Sequence, residues 1–237
     1  MAYFHAKLLK RYEVAKDTLA FRLERPGHFK FIAGQYLGIS FDKLVKPDSL
    51  SIKSFSIASS PKDKFLEIAT RMRNTGFKQT LASKKVGSLI DIKGPYGQFT
   101  LHSDAKRSAV FIAGGIGITT FRSIIKDALE KKSKLKMSLI WSNKTPSAAA
   151  YLDEIEKWAE DFPNFQLIAT MTQAKTDAWS GLREKITAKF IAIHTKDAQK
   201  PIYYTTGSPD FVFSVKSMLK SLKVPDVDIK IEDFVGY

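Results

Sequence analysis

The segment Val110-Phe111-Ile112-Ala113-Gly114-Gly115-Ile116-Gly117-Ile118-Thr119 constrains this chain more than any other. Its four leading apolar residues suit a buried strand, and two adjacent glycines then permit a tight turn with the backbone close to a ligand. Thr119 opens an amphipathic helix that runs on through Ile125 and Leu129. Unpaired amides at such a helix start, helped by the macrodipole, favour phosphate oxygens. Gly114, Gly115, Gly117, Ile118 and Thr119 are therefore candidate contacts to a diphosphate. The spacing matches neither G-x-G-x-x-G nor the P-loop pattern, so an ordinary strand-to-helix turn is the alternative.

Downstream of the glycines the pattern alternates between strands and helices. Strands are expected at Leu135 to Trp141, Phe165 to Thr170, Pro201 to Thr206 and Val227 to Phe234, with helices at Pro146 to Glu160, Gly181 to Ile193 and Pro209 to Leu222. Short links between them suit a Rossmann-like, mainly parallel α/β sheet covered on both faces. Ligands of such sheets lie beyond the carboxyl ends of the strands, which groups residues 114–119, 142–144, 170–173 and 206–209 at one cleft.

The first hundred residues have another texture. Ala6 to Val14, Thr18 to Glu24, Tyr36 to Phe41, Ser51 to Ala58, Phe65 to Arg71 and Ser88 to Ile92 are short extended runs divided by Gly, Pro, Asp and Lys. These predict an antiparallel β-barrel or sandwich, interrupted by one short helix at Phe77 to Ser83. The charged stretch His102 to Ser108 is the expected seam, dividing the chain into domains 1–104 and 105–237.

Composition narrows the function classes. The 237 residues and 44% hydrophobic content support two ordinary domains rather than disorder. The N-terminus lacks the apolar core of a signal peptide and no run approaches the roughly 18 residues of a membrane span, so no transmembrane segment and a cytoplasmic location are expected. Zero cysteines exclude disulfides, a thiol nucleophile and a cysteine-held iron–sulfur cluster, which places any such cluster on another molecule. The net charge of +14 is spread along the chain, as at Lys84, Lys85 and the Lys131 to Lys136 cluster, without zinc spacing or an RNP-like aromatic run. Nucleic acid is therefore not expected, and a solvated lysine-rich surface or an acidic redox partner accounts for the charge. His5, His28, His102 and His194 have no metal-ligand spacing, so no metal site is assigned.

Six segments appear in a telling order: Phe31-Ile32-Ala33-Gly34-Gln35-Tyr36, Lys53-Ser54-Phe55-Ser56, Gly94-Pro95-Tyr96-Gly97, the glycine turn, Thr206-Gly207-Ser208-Pro209 and Glu232-Asp233-Phe234. The set resembles the ferredoxin–NADP reductase superfamily, with its F-x-x-G-Q-Y segment, R-x-Y-S flavin motif, G-P-[FY]-G turn, G-G-x-G-[IV]-[TS], C-G-x-P-like loop and terminal E-x-[FY]. The resemblance covers nearly the whole chain. It implies an N-terminal flavin-binding barrel followed by an α/β domain that binds NADPH or NADH.

On this resemblance, FAD contacts fall on Lys53, Ser54, Phe55, Ser56 and Ile57, on Thr70 and Arg71, and on the helix start Gly76, Phe77, Lys78, Gln79 and Thr80. A diphosphate received by that helix start favours FAD over FMN. Lys53 stands where relatives have arginine, which keeps the charge without the planar bidentate contact, and Phe55 keeps a ring without the phenol. Ser56 carries the hydroxyl that lies near the flavin's reactive nitrogen in relatives, and Thr206 replaces a cysteine beside the nicotinamide, next to Gly207. Glu232 is either a structural hydrogen-bond partner or an aid to proton movement. Phe234 and Tyr237 are alternatives for the aromatic that covers the flavin. Ser142, Asn143 and Lys144 fall where relatives recognise the adenosine ribose, and Lys144 is a candidate partner for the extra phosphate of NADPH.

The resemblance implies hydride transfer between NAD(P)H and FAD, with electrons passing to a separate acceptor such as ferredoxin, flavodoxin or an oxygenase component. Two alternatives stand beside it. One is reduction of a small acceptor such as free flavin, ferric chelate or quinone. The other is a flavin-binding regulatory or assembly subunit with little turnover, suggested by Lys53, Phe55 and Thr206.

Overall fold

A computed structural model describes residues 3–46, 52–175 and 179–234 of the chain. The N-terminal half contains six strands, β1 (Tyr3–Ala15), β2 (Thr18–Glu24), β3 (Tyr36–Ser40), β4 (Ile52–Ser56), β5 (Phe65–Arg71) and β6 (Leu89–Tyr96), with helix α1 (Gly76–Ser83) between β5 and β6. All pairings are antiparallel, in the order β4-β3-β6-β1-β2-β5. The sheet curls until its ends meet. Just past β4, Ile57 N–H donates to Gln35 O at 3.0 Å, and the next amide, Ala58, donates to Glu67 O of β5 at 2.7 Å. One residue thus passes the chain from β3's side to β5's, which closes the barrel.

Inside lie Phe21, Leu23, Leu37, Ile39, Ile57, Ile68 and Ile92, joined by Phe77 and Leu81 of α1. That helix begins where Thr75 Oγ1 accepts from the Lys78 amide, a cap worth about 1 kcal/mol. Its apolar face then plugs the barrel.

The second half holds β7 (Ala109–Gly114), α2 (Ile118–Glu130), β8 (Met137–Asn143), α3 (Leu152–Asp161), β9 (Phe165–Met171), α4 (Ala188–His194), β10 (Ile202–Gly207), α5 (Pro209–Ser221) and β11 (Ile229–Asp233). The five strands are parallel, ordered β11-β10-β7-β8-β9. Successive side chains of a strand face opposite sides of the sheet. Accordingly Val110, Ile112, Ile140 and Ile168 pack with Ile191, Val215 and Leu219 of α4 and α5. Phe111, Ala113, Leu139 and Trp141 pack with Phe121, Ile125 and Ile155 of α2 and α3. Two helical layers on one sheet explain why β7 is apolar at consecutive positions.

Three expectations about elements change. The helix expected over residues 146–160 is broken: a 3-10 turn spans Pro146–Ala148, and α3 starts only after Tyr151, which adopts a left-handed φ of 65°. Tyr151's hydroxyl is drawn to Glu67 of the barrel at 3.1 Å. The helix expected over 181–193 is shortened to α4. Leu182 instead bridges to Thr170, and its carbonyl accepts from Met171 N–H at 2.9 Å, satisfying part of the otherwise open edge of β9. Thr187 then caps α4 by accepting from the Phe190 amide at 3.1 Å. Helix α2 also begins earlier than Thr119, after a 3-10 turn over Gly115–Gly117.

The halves are joined through α2. Arg122 Nη1 donates to Ala58 O at 2.7 Å, Ser123 Oγ to Ser59 O at 2.6 Å, and Lys126 Nζ to Asp63 at 2.7 Å. Three side chains of one helix thus hold one barrel loop. Among the described residues no helix is long and apolar enough to cross a membrane.

Candidate functional site

The carboxyl ends of the parallel strands form a cleft of about 300 Å³ lined by Gly114, Gly115, Ile116, Ser142, Asn143, Lys144, Thr172, Gly207, Ser208 and Phe211, with Arg71 and Arg73 reaching in from the barrel. All four expected loops contribute to it. Three cations and no carboxylate stand among these residues, so the cleft suits an anion. Asn143 is buried, yet neither its carboxamide nitrogen nor its oxygen has a protein partner, and Arg71 Nε is likewise unpartnered. Buried polar groups left so cost about 1–3 kcal/mol each. A polar, anionic ligand such as a dinucleotide would satisfy both, and the residues fit that group.

The glycines divide by task. Gly115 has φ of 53°, and a Cβ built there would meet open space on the cleft side. Gly117 faces the other way, where a Cβ would lie 2.6 Å from Thr206 O. Its carbonyl accepts from Thr206 Oγ1 at 2.8 Å. Thr206 is fully buried and holds the turn against β10. Ile118 and Thr119 are also buried, with Thr119 Oγ1 donating to Ile116 O at 3.0 Å. The cleft itself is thus left to Gly114, Gly115 and Gly207.

On the barrel, Phe55 stacks on Phe77 with ring centroids 5.9 Å apart, and Lys53 Nζ lies 5.9 Å from the same ring. A cation, two rings and the start of α1 therefore share one corner, a donor set that fits a phosphate joined to an aromatic system. Lys78 is buried and donates to Arg71 O at 2.7 Å. Thr80 is also turned inward, donating to Gly76 O at 2.7 Å and accepting from Val45 N–H at 2.9 Å. Gln79 reaches Asn74 at 2.7 Å and Ser54 is exposed on β4. Thr70 and Ile57 are buried beside them.

A hydrogen-bonded row is drawn from both halves. Thr120 Oγ1 donates to Ser56 Oγ at 2.8 Å and lies 3.3 Å from Glu232 Oε2. Burial raises Glu232 to about 7, reinforced by the charge of Asp233, while the Thr120 hydrogen bond acts the other way. Phe234 follows, its amide donating to Gly207 O at 3.0 Å. Tyr237 lies outside the described residues.

Sequence reasoning missed Arg73, Phe211 and Thr120. Arg73 gave no signal, because its part in the cleft depends on how the barrel docks. Phe211 stands two residues past Pro209, and its ring closes over the positions a Cβ would take at Gly114 and Gly207. Thr120 directly follows the glycine motif and reads there as an ordinary helix residue. His102 has a packing role: its Nδ1 lies 2.9 Å from Tyr204 Oη, and its amide donates to the same oxygen at 2.9 Å. Among the described residues no cluster of His, Asp and Glu could hold a metal ion.

A closed antiparallel barrel joined to a parallel α/β sheet, with a cationic-aromatic corner on one and an anion cleft on the other, defines the class of two-part flavin and dinucleotide oxidoreductases. Residues 5–101 match the family model of the oxidoreductase FAD-binding domain, and residues 111–217 that of the oxidoreductase NAD-binding domain. The chain belongs to the ferredoxin–NADP reductase-like superfamily, and its cofactors are FAD and a nicotinamide dinucleotide. It is 26% identical over 237 residues to the phenol hydroxylase P5 protein of Acinetobacter pittii, covering 98% of this chain and 66% of that one. It is 28% identical over 239 residues to the terephthalate 1,2-dioxygenase reductase component 2 of a Comamonas species, again with 98% and 66% covered. The chain thus spans just under two thirds of the length of these curated relatives. The crystal structure of a ferredoxin NADP+ reductase from Neisseria gonorrhoeae with bound FAD and NADP superimposes with a TM-score of 0.79 at 18% identity, over 98% of each chain.

Proposed function

We propose that this chain takes hydride from NADPH or NADH onto FAD and hands electrons to a separate protein acceptor, of the ferredoxin, flavodoxin or oxygenase-component kind. The observation that carries this reading is the row Ser56, Thr120 and Glu232, in which barrel, α2 and β11 meet, together with the cationic cleft at the strand ends. Two named relatives are a phenol hydroxylase protein and a dioxygenase reductase component, which supports an oxygenase-type acceptor. The surplus of lysine and arginine supports an acidic one.

Bound FAD supplies the exchange between two-electron and one-electron chemistry. The chain's residues bind, orient and shield. Residues 1–104 form the flavin part, with Lys53 and the start of α1 countering the diphosphate, Phe55 packing beside it on the buried Phe77 ring, and Arg71 lying between flavin and cleft. Residues 105–237 form the dinucleotide part. Gly114, Gly115 and Gly207 bring backbone close to the diphosphate, Asn143 and Ser142 read the ribose, and Lys144 offers a charge to a 2′-phosphate. Thr206 and Gly117 set the depth of the nicotinamide site. Phe234 covers the flavin face until the nicotinamide displaces it, with Tyr237 the alternative.

Identification of the flavin released from purified protein, followed by anaerobic titration with NADH and NADPH, tests the reading. FAD, bleached by at least one of the two, is expected. Protein without FAD, or FAD reduced by neither, overturns it. Steady-state assays with ferredoxin, flavodoxin, free flavin and ferric chelate then separate a protein acceptor from a small one.

A further inference from the structure

We infer that Lys78 is a positioning residue through which FAD at the start of α1 and a dinucleotide in the cleft strengthen each other's binding. The inference rests on the flavin reductase reading. The segment from the end of β5 to the start of α1 borders one ligand site at each end, with Arg71 and Arg73 lining the cleft and Gly76, Phe77 and Lys78 opening the helix. Lys78 belongs to both ends. Its amide donates to Thr75 Oγ1 at 3.3 Å within the helix start, while its side chain, 4% exposed, turns back and donates from Nζ to Arg71 O at 2.7 Å.

A hydrogen bond from a charged donor, shielded from water, holds a carbonyl more firmly than an ordinary one. Arg71 is therefore fixed from two sides: its backbone by Lys78, and its guanidinium by Ala148 O of the α/β half, to which Nη2 donates at 3.3 Å. Nε of the same guanidinium is buried and unpartnered. A diphosphate drawn to the start of α1 orders residues 75–78, and Lys78 passes that constraint to Arg71. An anion held by Arg71 constrains the same segment from its other end. Whichever ligand binds first meets the ordering cost, so the second binds more tightly, and the effect is equal in both directions.

The test measures FAD affinity, from the fluorescence of flavin released as holoenzyme is diluted, with and without saturating ADP-ribose. This probe carries the diphosphate but no nicotinamide, so it cannot stack on the flavin through that ring and coupling has to pass through the protein. In wild type, ADP-ribose should tighten FAD binding about fivefold to tenfold. In Lys78→Met, which keeps the apolar stem without the ammonium, that ratio should fall to about one, and Lys78→Arg should return part of it. Lys78→Gln, shorter and neutral, repeats the deletion if Lys78→Met retains no FAD. A lysine that is only a flavin countercharge or a packing group would, when replaced, weaken FAD alike in both conditions and leave the ratio at its wild-type value. That result overturns the role of Lys78, and wild-type FAD affinity that ADP-ribose leaves unchanged or lowers overturns the coupling. Purified wild type that binds no FAD, or holoenzyme that takes up no ADP-ribose by calorimetric titration, overturns the reading beneath it as well.

Discussion

Replacing Glu67 by alanine should both destabilise the protein and loosen the joint between its halves. Glu67 sits on β5 with no exposed surface. Its carboxylate accepts from Arg22 Nε at 2.6 Å, Tyr12 Oη at 2.7 Å and Tyr151 Oη at 3.1 Å, and lies 3.3 Å from Arg122 Nη1. Two of these partners belong to the barrel and two to the α/β half. Glu67 also drives Tyr151 well above the ordinary phenol range, second to burial itself, so that hydroxyl stays a donor. Arg22 is partly exposed and can rehydrate. Arg122 is buried and would keep Ala58 O, the Tyr151 ring face and the Glu154 carboxylate, to which it donates at 2.6 and 2.9 Å. Removing one member of a buried charge network costs about 3–5 kcal/mol. At about 2–4 °C per kcal/mol for a chain of this size, Tm should fall by roughly 6–20 °C. Calorimetry of Glu67→Ala reads this directly, and a double-mutant cycle with Arg122→Met separates the pairwise part. A fall under about 1 kcal/mol would show that the network contributes little and that the α2 contacts to the barrel loop, with apolar packing, hold the halves.

Gly117→Ala places a Cβ 2.6 Å from Thr206 O; it should cost about 1–3 kcal/mol of stability and weaken dinucleotide binding while flavin absorbance persists, and unchanged dinucleotide affinity by calorimetric titration refutes the close-approach role. Lys144→Ala should raise the KM for NADPH more than that for NADH, and equal effects on both would remove the basis for a 2′-phosphate contact. Phe234→Ser should tighten binding of oxidised dinucleotide by about threefold to tenfold, the worth of an aromatic stack, with a shift in flavin absorbance; no change in either marks Phe234 as a packing residue. Glu232 binds its proton more tightly folded than unfolded, so its contribution to stability is full below about pH 4.5 and is lost as pH rises to about 7. Thermal melts of Glu232→Gln should lose that slope, and a slope equal to wild type would assign it elsewhere.

Much of the fold is legible locally. Short apolar runs with alternating burial and turn residues announce the barrel strands, and β2 and β5 fall on the residues expected for them. The glycine turn and the loops at residues 142–144, 170–173 and 206–209 are read from strand ends, since a parallel sheet puts every carboxyl end at one edge. What local pattern cannot contain is the partner of a side chain far along the chain. Tyr151 leaves the helical region, where its sequence suits a helix, beside a hydroxyl contact to Glu67, 84 positions earlier. The segment before α4 turns from helix to bridge because β9 has an open edge beside it.

The candidate site divides in the same way. Sequence alone determined the types of group present: glycines at a strand-to-helix turn, a cation and a ring at Lys53 and Phe55, a hydroxyl at Ser56 and a carboxylate at Glu232. Tertiary structure decided which of them act together. Ser56 and Thr120 are separated by 64 positions, and Thr120 and Glu232 by 112, yet they share one row of hydrogen bonds. Arg71 and Arg73 line the cleft at the strand ends because the barrel docks on the α/β half, through contacts that include Arg122, Ser123 and Lys126 of α2. Residue type fixes what a group can donate, accept or repel, whereas its partner depends on how distant segments pack, and that is set by burial summed over the whole chain.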